Sequence, residues 1–201
     1  MRCGAGIKWS DMHCLMERTV LSHLIAAKVL QGDVEAMLAQ HLGAVFIPCG
    51  LGHLIGVDTH DVGGYLQDCP PRATRRGLSK LRTARVLEEG MVLTVEPGCY
   101  FIDALLDPAL ADPALAQFFV LDRIQQFRSF GGVRLEDVVA VTGTGIENYT
   151  TCPRTPEEVE AVMAGGPWPP LEDAAPWMFR QWGHLDRATG AMADDHVPAV
   201  V

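Results

Sequence analysis

Apolar positions near the start of the chain recur at helical spacing. Met12, Leu15, Met16, Val20, Leu24 and Ile25 fall on one face, which predicts a helix capped by Ser10 or Asp11 and stopped by Gly32. Asp33 is placed to cap a shorter helix through Met37, Leu38 and Leu42, ended by Gly43. Val45, Phe46 and Ile47 read as a buried strand, residues 91–95 as a second, and residues 133–142 as a third that returns antiparallel beside the second. Residues 103–130 carry two helical pieces divided by proline, around 105–110 and 113–127. Thr155, Pro156, Glu157 and Glu158 combine cap, first-position proline and first-turn acids, and Ala164-Gly165 ends the helix that they open. The basic stretch from Leu66 to Lys80 has no period and reads as a solvated loop. Beyond Gly165, Pro167, Pro169, Pro170 and Pro176 interrupt any pattern, and Trp168, Trp177 and Trp182 have no matching apolar stripe. The expected organisation is therefore an α+β unit over 1–164, followed by a divergent tail, 165–201, that is loosely packed or disordered.

Composition sharpens this picture by exclusion. With 201 residues, 48% of them hydrophobic, the chain can bury one sizeable core. A net charge of −9 argues against nucleic acid and against an anionic membrane face as partners. Neither a long apolar span nor a secretory pattern at the N-terminus is visible, so a cytoplasmic protein is expected. The six cysteines are scattered without a CxxC. They read as reduced thiols, not as a disulfide framework or a zinc cluster.

The chemistry concentrates in residues 49–65, where His53 and His60 stand among Gly50, Gly52, Gly56, Gly63 and Gly64. Glycine lets backbone pass close to other groups, which suits a site. Two glutamates adjoin apolar strand-like runs, Glu96 after 91–95 and Glu136 before 138–141. A strand glutamate needs either a partner such as Arg134 or a bound cation. Imidazole with carboxylates is a donor set that suits a divalent first-row metal. His13, His23 and His41 read as ordinary surface or boundary residues.

In this order and spacing, Leu51-Gly52-His53-Leu54-Ile55-Gly56, His60-Asp61-Val62-Gly63-Gly64-Tyr65, Leu81-Arg82-Thr83-Ala84-Arg85, residues 94–98 and residues 131–137 closely resemble the Xaa-Pro dipeptidases (prolidases). These are pita-bread-fold metallopeptidases. The resemblance implies a partial pita-bread fold, a curved antiparallel sheet flanked by helices, with 1–164 as the C-terminal part of the catalytic domain. It implies Mn2+ as cofactor, a dipeptide with C-terminal proline as substrate, and homodimers. It assigns His53, Glu96 and Glu136 as metal ligands, with Glu96 also shuttling protons. His60 would stabilise the tetrahedral intermediate or orient substrate, Arg82 would grip the free carboxylate, and Arg134 would hold substrate or Glu136.

Two departures temper that assignment. The family's two aspartate ligands lie on strands before the first helix and have no counterpart here. Cys49 stands where the family has a histidine that lines the substrate pocket. The expectation is thus a prolidase-like chain inactive by itself; the alternative is a non-catalytic relative that at most binds a partner subunit. An open sheet edge and low stability are expected with either reading.

Overall fold

The computed structural model describes residues 3–170 and 174–182. Helix α1, Trp9–Ala26, has no side-chain cap: Lys8 is the cap residue, and the entry is fixed by backbone pairing instead. Trp9 N–H donates to the Arg85 carbonyl at 2.9 Å, and Gly6 and Ile7 exchange hydrogen bonds with Leu87 at 2.8 Å each. The helix ends before Gly32, because Lys28 already turns into the left-handed region at φ 58°. Its buried face is Trp9, His13, Met16, Glu17, Leu21 and Leu24. The predicted stripe is therefore displaced, with His13 and Glu17 inside where a purely apolar count would not put them.

Helix α2, Val34–Ala39, is capped as expected, with the Asp33 carboxylate accepting from Ala36 N–H at 2.9 Å. It ends before Gly43, at His41, whose φ is 56°. The expected strand at 45–47 is instead part of a short helix, α3, Gly43–Phe46, all four residues of which are buried. A short apolar run cannot distinguish buried strand from buried helix. Here Gly43 lies against the Glu17 side chain, where a Cβ would meet it at 3.0 Å, and the close approach seats α3 on α1.

Strands β1, Val92–Val95, and β2, Gly98–Tyr100, are followed by helices α4, Asp103–Ala111, α5, Pro113–Ala116, and α6, Leu121–Phe127. The long strand expected over 133–142 is broken into β3, Gly132–Arg134, and β4, Asp137–Thr142, before β5, Gly145–Asn148. The two breaks face each other. Val95 pairs with Asp137 and Gly98 with Arg134, so Glu96-Pro97 lies across from Leu135-Glu136, and both glutamates fall at the bend. Helix α7, Pro156–Met163, carries a complete capping box between Thr155 and Glu158.

One core links these layers. Phe46 meets Phe101 edge-on at 5.7 Å, and Phe101 stacks on Phe127 at 4.8 Å. Leu21, Leu93, Leu106 and Ile124 are fully enclosed around them.

The sheet β1–β4–β5 is covered along both edges. On the β1 side, Thr94 and Glu96 N–H groups donate to the His53 and Leu51 carbonyls at 2.8 and 2.7 Å. Beyond β5, Asn148 forms a parallel bridge with Arg180, with Gln181 N–H donating to the Asn148 carbonyl at 2.8 Å. The described part of the tail is thus packed rather than loose. Trp168 Nε1–H donates to the Thr151 carbonyl at 2.7 Å. Arg180 donates to both Glu158 oxygens, at 2.8 and 3.2 Å, and lies over the Trp182 and Trp168 rings at 4.8 and 5.5 Å. Tryptophans gathered around a guanidinium leave no periodic trace in sequence. The remainder of the tail expectation falls on 171–173 and 183–201, outside the described residues. The open edge that was expected is found at β3, which is exposed along its length and has no further strand beyond it among the described residues.

Candidate metal and substrate site

Segment 51–55 runs beside β1 as an irregular extra strand, and Gly52 makes this possible. A Cβ there would stand 2.0 Å from the Thr94 carbonyl oxygen, so no other residue lets the two backbones pass. Gly64 does the same on the far side, where a Cβ would stand 2.0 Å from the Arg82 carbonyl oxygen. His53 is consequently brought over the bend that carries Glu96 and Glu136. One ligand atom from each of these three residues lies within 4.8 Å of the others.

Orientation is set by hydrogen bonds. His53 Nδ1 lies 2.9 Å from the Leu54 carbonyl, which can only accept, so Nδ1 donates there and Nε2 is turned toward the bend. Nε2 faces Glu96 Oε1 at 3.2 Å. The Thr94 hydroxyl accepts from His53 N–H at 3.0 Å and donates to Glu96 Oε1 at 2.8 Å. Glu96 is buried at 6% exposure, whereas Glu136 is exposed. Glu96 Oε2 accepts from Arg134 Nη1. Of the two readings of Glu96 open at the sequence level, the ion pair is the one that the structure displays, with Arg134 as its partner.

His53, Glu96 and Arg134 line a cleft of about 560 Å³ with Cys49, His60, Arg72, Lys80 and Arg82. The His60 ring stands edge-on to His53, 4.3 Å between centroids. Desolvation, aided by the nearby Arg82 charge and by His53, lowers its imidazole below the ordinary range. The Cys49 thiol is pushed up by burial against the pull of Arg134.

Arg72 is the wall residue that sequence reading assigned to a solvated face. Its guanidinium lies over the Tyr65 ring at 4.1 Å and donates to the Ser79 and Leu81 carbonyls, which closes the loop. The neighbouring Arg75 donates to Glu17 Oε2 at 2.6 Å. His13, also read as a surface or boundary residue, is fully buried beside Glu17. Thr94 was overlooked too, although its position two residues before Glu96, on the same strand face, was a usable signal.

Cleft, bend and the group of His53, Glu96 and Glu136 together make an arrangement that could hold a metal ion. Residues 2–143 match the model of metallopeptidase family M24, and the chain belongs to that family. It is 59% identical over 160 residues to the Xaa-Pro dipeptidase of Rattus norvegicus and 58% identical over 160 residues to that of Homo sapiens. In each case the match takes in 80% of this chain and 32% of the relative, so the chain spans about a third of the length of these relatives. Among solved structures, zinc-substituted Escherichia coli aminopeptidase P in complex with product aligns with a TM-score of 0.56 and 34% identity, over 81% of this chain and 30% of that one. Pseudomonas aeruginosa aminopeptidase PepP aligns with a TM-score of 0.57 and 32% identity, over the same shares. The α+β architecture is accordingly part of a pita-bread fold.

Proposed function

We propose that this chain carries the imidazole- and glutamate-bearing part of an Xaa-Pro dipeptidase site. One observation carries the reading: His53, Glu96 and Glu136 converge at a sheet bend, and the first two also line a cleft whose other wall is basic. One imidazole and two carboxylates suit a divalent first-row ion, and Mn2+ is the cofactor proposed. Bound there, such an ion would polarise a peptide carbonyl and supply activated water. The chain's own residues do the rest. His53 and Glu136 hold the ion, Glu96 holds it and moves the proton, and Arg82 grips the carboxylate of a dipeptide ending in proline. His60, lowered in basicity, donates to the developing oxyanion or orients the substrate. Cytoplasmic location and homodimeric assembly belong to the same proposal.

A second reading, a non-catalytic relative that binds a partner subunit, is favoured by the hold of Arg134 on Glu96 and by Cys49. Mn2+ retention through dialysis, read together with Gly-Pro hydrolysis by the purified chain, separates the two. The expected outcome is retention of Mn2+ through dialysis, lost in Glu96→Ala, with no measurable turnover by the chain alone. Turnover abolished by Glu96→Ala would establish a working peptidase. Failure to retain Mn2+ would leave only the second reading.

A further inference from the structure

The geometry points to Arg134 as a built-in counter-cation of Glu96, held there by Cys49, which a divalent ion must displace to enter; this rests on the metal-site reading above. Glu96 is nearly enclosed, and a buried carboxylate needs a compensating charge whenever no ion is present. Arg134 Nη1 donates to Glu96 Oε2, while Oε1 is taken up by the Thr94 hydroxyl and faces His53 Nε2. Each oxygen of the carboxylate therefore already has a donor, Oε1 the Thr94 hydroxyl and Oε2 Arg134.

The guanidinium is itself held from two other directions. Its Nε donates to the Tyr100 hydroxyl at 2.7 Å, and its Nη2 donates to Cys49 Sγ at 3.0 Å. Arginine stays charged at any working pH, so an arriving ion meets a positive charge already seated on one of the two Glu96 oxygens. Sulfur is a weak acceptor, which makes Cys49 a light latch. The Arg134 side chain, 34% exposed, has solvent into which it can withdraw. Cys49 is a positioning residue in this arrangement, acting on the ion only through Arg134. The consequence is a site whose affinity for divalent ions is set by how easily one guanidinium leaves.

Calorimetric Mn2+ titration of the 201-residue chain tests this, with free Mn2+ followed in parallel by its spin resonance signal. Arg134→Gln is expected to tighten Mn2+ binding by about tenfold, because a like charge beside the ion is gone. Cys49→Ala is expected to tighten it less, by about threefold, since only the latch is removed. Cys49→Ser keeps an acceptor and should behave as the unaltered chain. Adding Cys49→Ala to Arg134→Gln should change nothing further, because the latch has nothing left to hold. Weaker or unchanged binding in Arg134→Gln, with the parent chain still binding Mn2+, would overturn the counter-cation and leave the metal site standing. Absence of binding in every variant, with cooperative melting retained, would overturn both. Should Arg134→Gln fail to fold, Cys49→Ala decides alone, and unchanged affinity there sinks the idea.

Discussion

At Gly52 the requirement is one of space. The absent Cβ lets segment 51–55 lie against β1, and a methyl group would enter the Thr94 carbonyl at 2.0 Å. Gly52→Ala should therefore cost about 3 kcal/mol and also lose Mn2+ retention, because His53 is carried on that segment. A thermal melt and a dialysis assay measure the two losses, and a stable Gly52→Ala chain would refute the close-approach argument. The same stretch marks how far residues alone could be read. His53, Glu96 and Glu136 were legible as candidates because imidazole and strand carboxylates are costly without partners, and they do converge. Arg72 and His13 were not legible, since a basic run and a lone histidine look the same whether they close a wall or face water. What separates them is the Tyr65 ring beneath Arg72 and the burial of His13 on the inner face of α1, near Gly77.

At the level of elements, capping chemistry proved more readable than apolar runs. Asp33 and the Thr155–Glu158 box start α2 and α7 as the sequence predicts, because a cap is a local hydrogen bond and needs no tertiary context. The helix at Gly43–Phe46 and the break at Leu135-Glu136 depend on neighbours that are distant in sequence. Glu158 shows how one capping residue can also serve a tertiary contact, as it holds Arg180 and so the strap over β5. The Arg180 hydrogen bond, with backbone donors at Arg154 and Thr155, outweighs burial and lowers the Glu158 carboxyl below 4.5. A depressed folded-state value means that this stability is present above the unfolded pKa and is lost as pH falls through the folded one. Glu158→Gln should thus lower the melting temperature at pH 7, with a free-energy loss of about 3 kcal/mol for breaking a buried pair. The gap from the parent chain should narrow steadily as pH falls below the ordinary glutamate range. Melts at pH 7 and in the acid range measure it, and a gap independent of pH would show that the ion pair contributes little.

Across the whole molecule, edges decide solution behaviour. Segment 51–55 and the strap at 179–181 cover the two sides of β1–β4–β5, so the unprotected rim is β3, where Val133 is 51% exposed. Val133→Lys should reduce concentration-dependent light scattering while leaving the melting temperature nearly unchanged, because charge on an exposed edge opposes strand addition. Equal scattering from both chains would place association elsewhere on the surface. The substrate wall has a different weakness. Apart from a single 3-10 turn at Leu78–Lys80, residues 66–82 have no regular element. Arg72 ties them together through Tyr65, Ser79 and Leu81, and Arg75 moors them to α1 at the buried Glu17. A wall moored in this way can detach as a unit while the sheet beneath it stays intact. Metal affinity and carboxylate recognition can accordingly drift apart over evolutionary time, since substitutions in α1 reach the wall without touching the ligands.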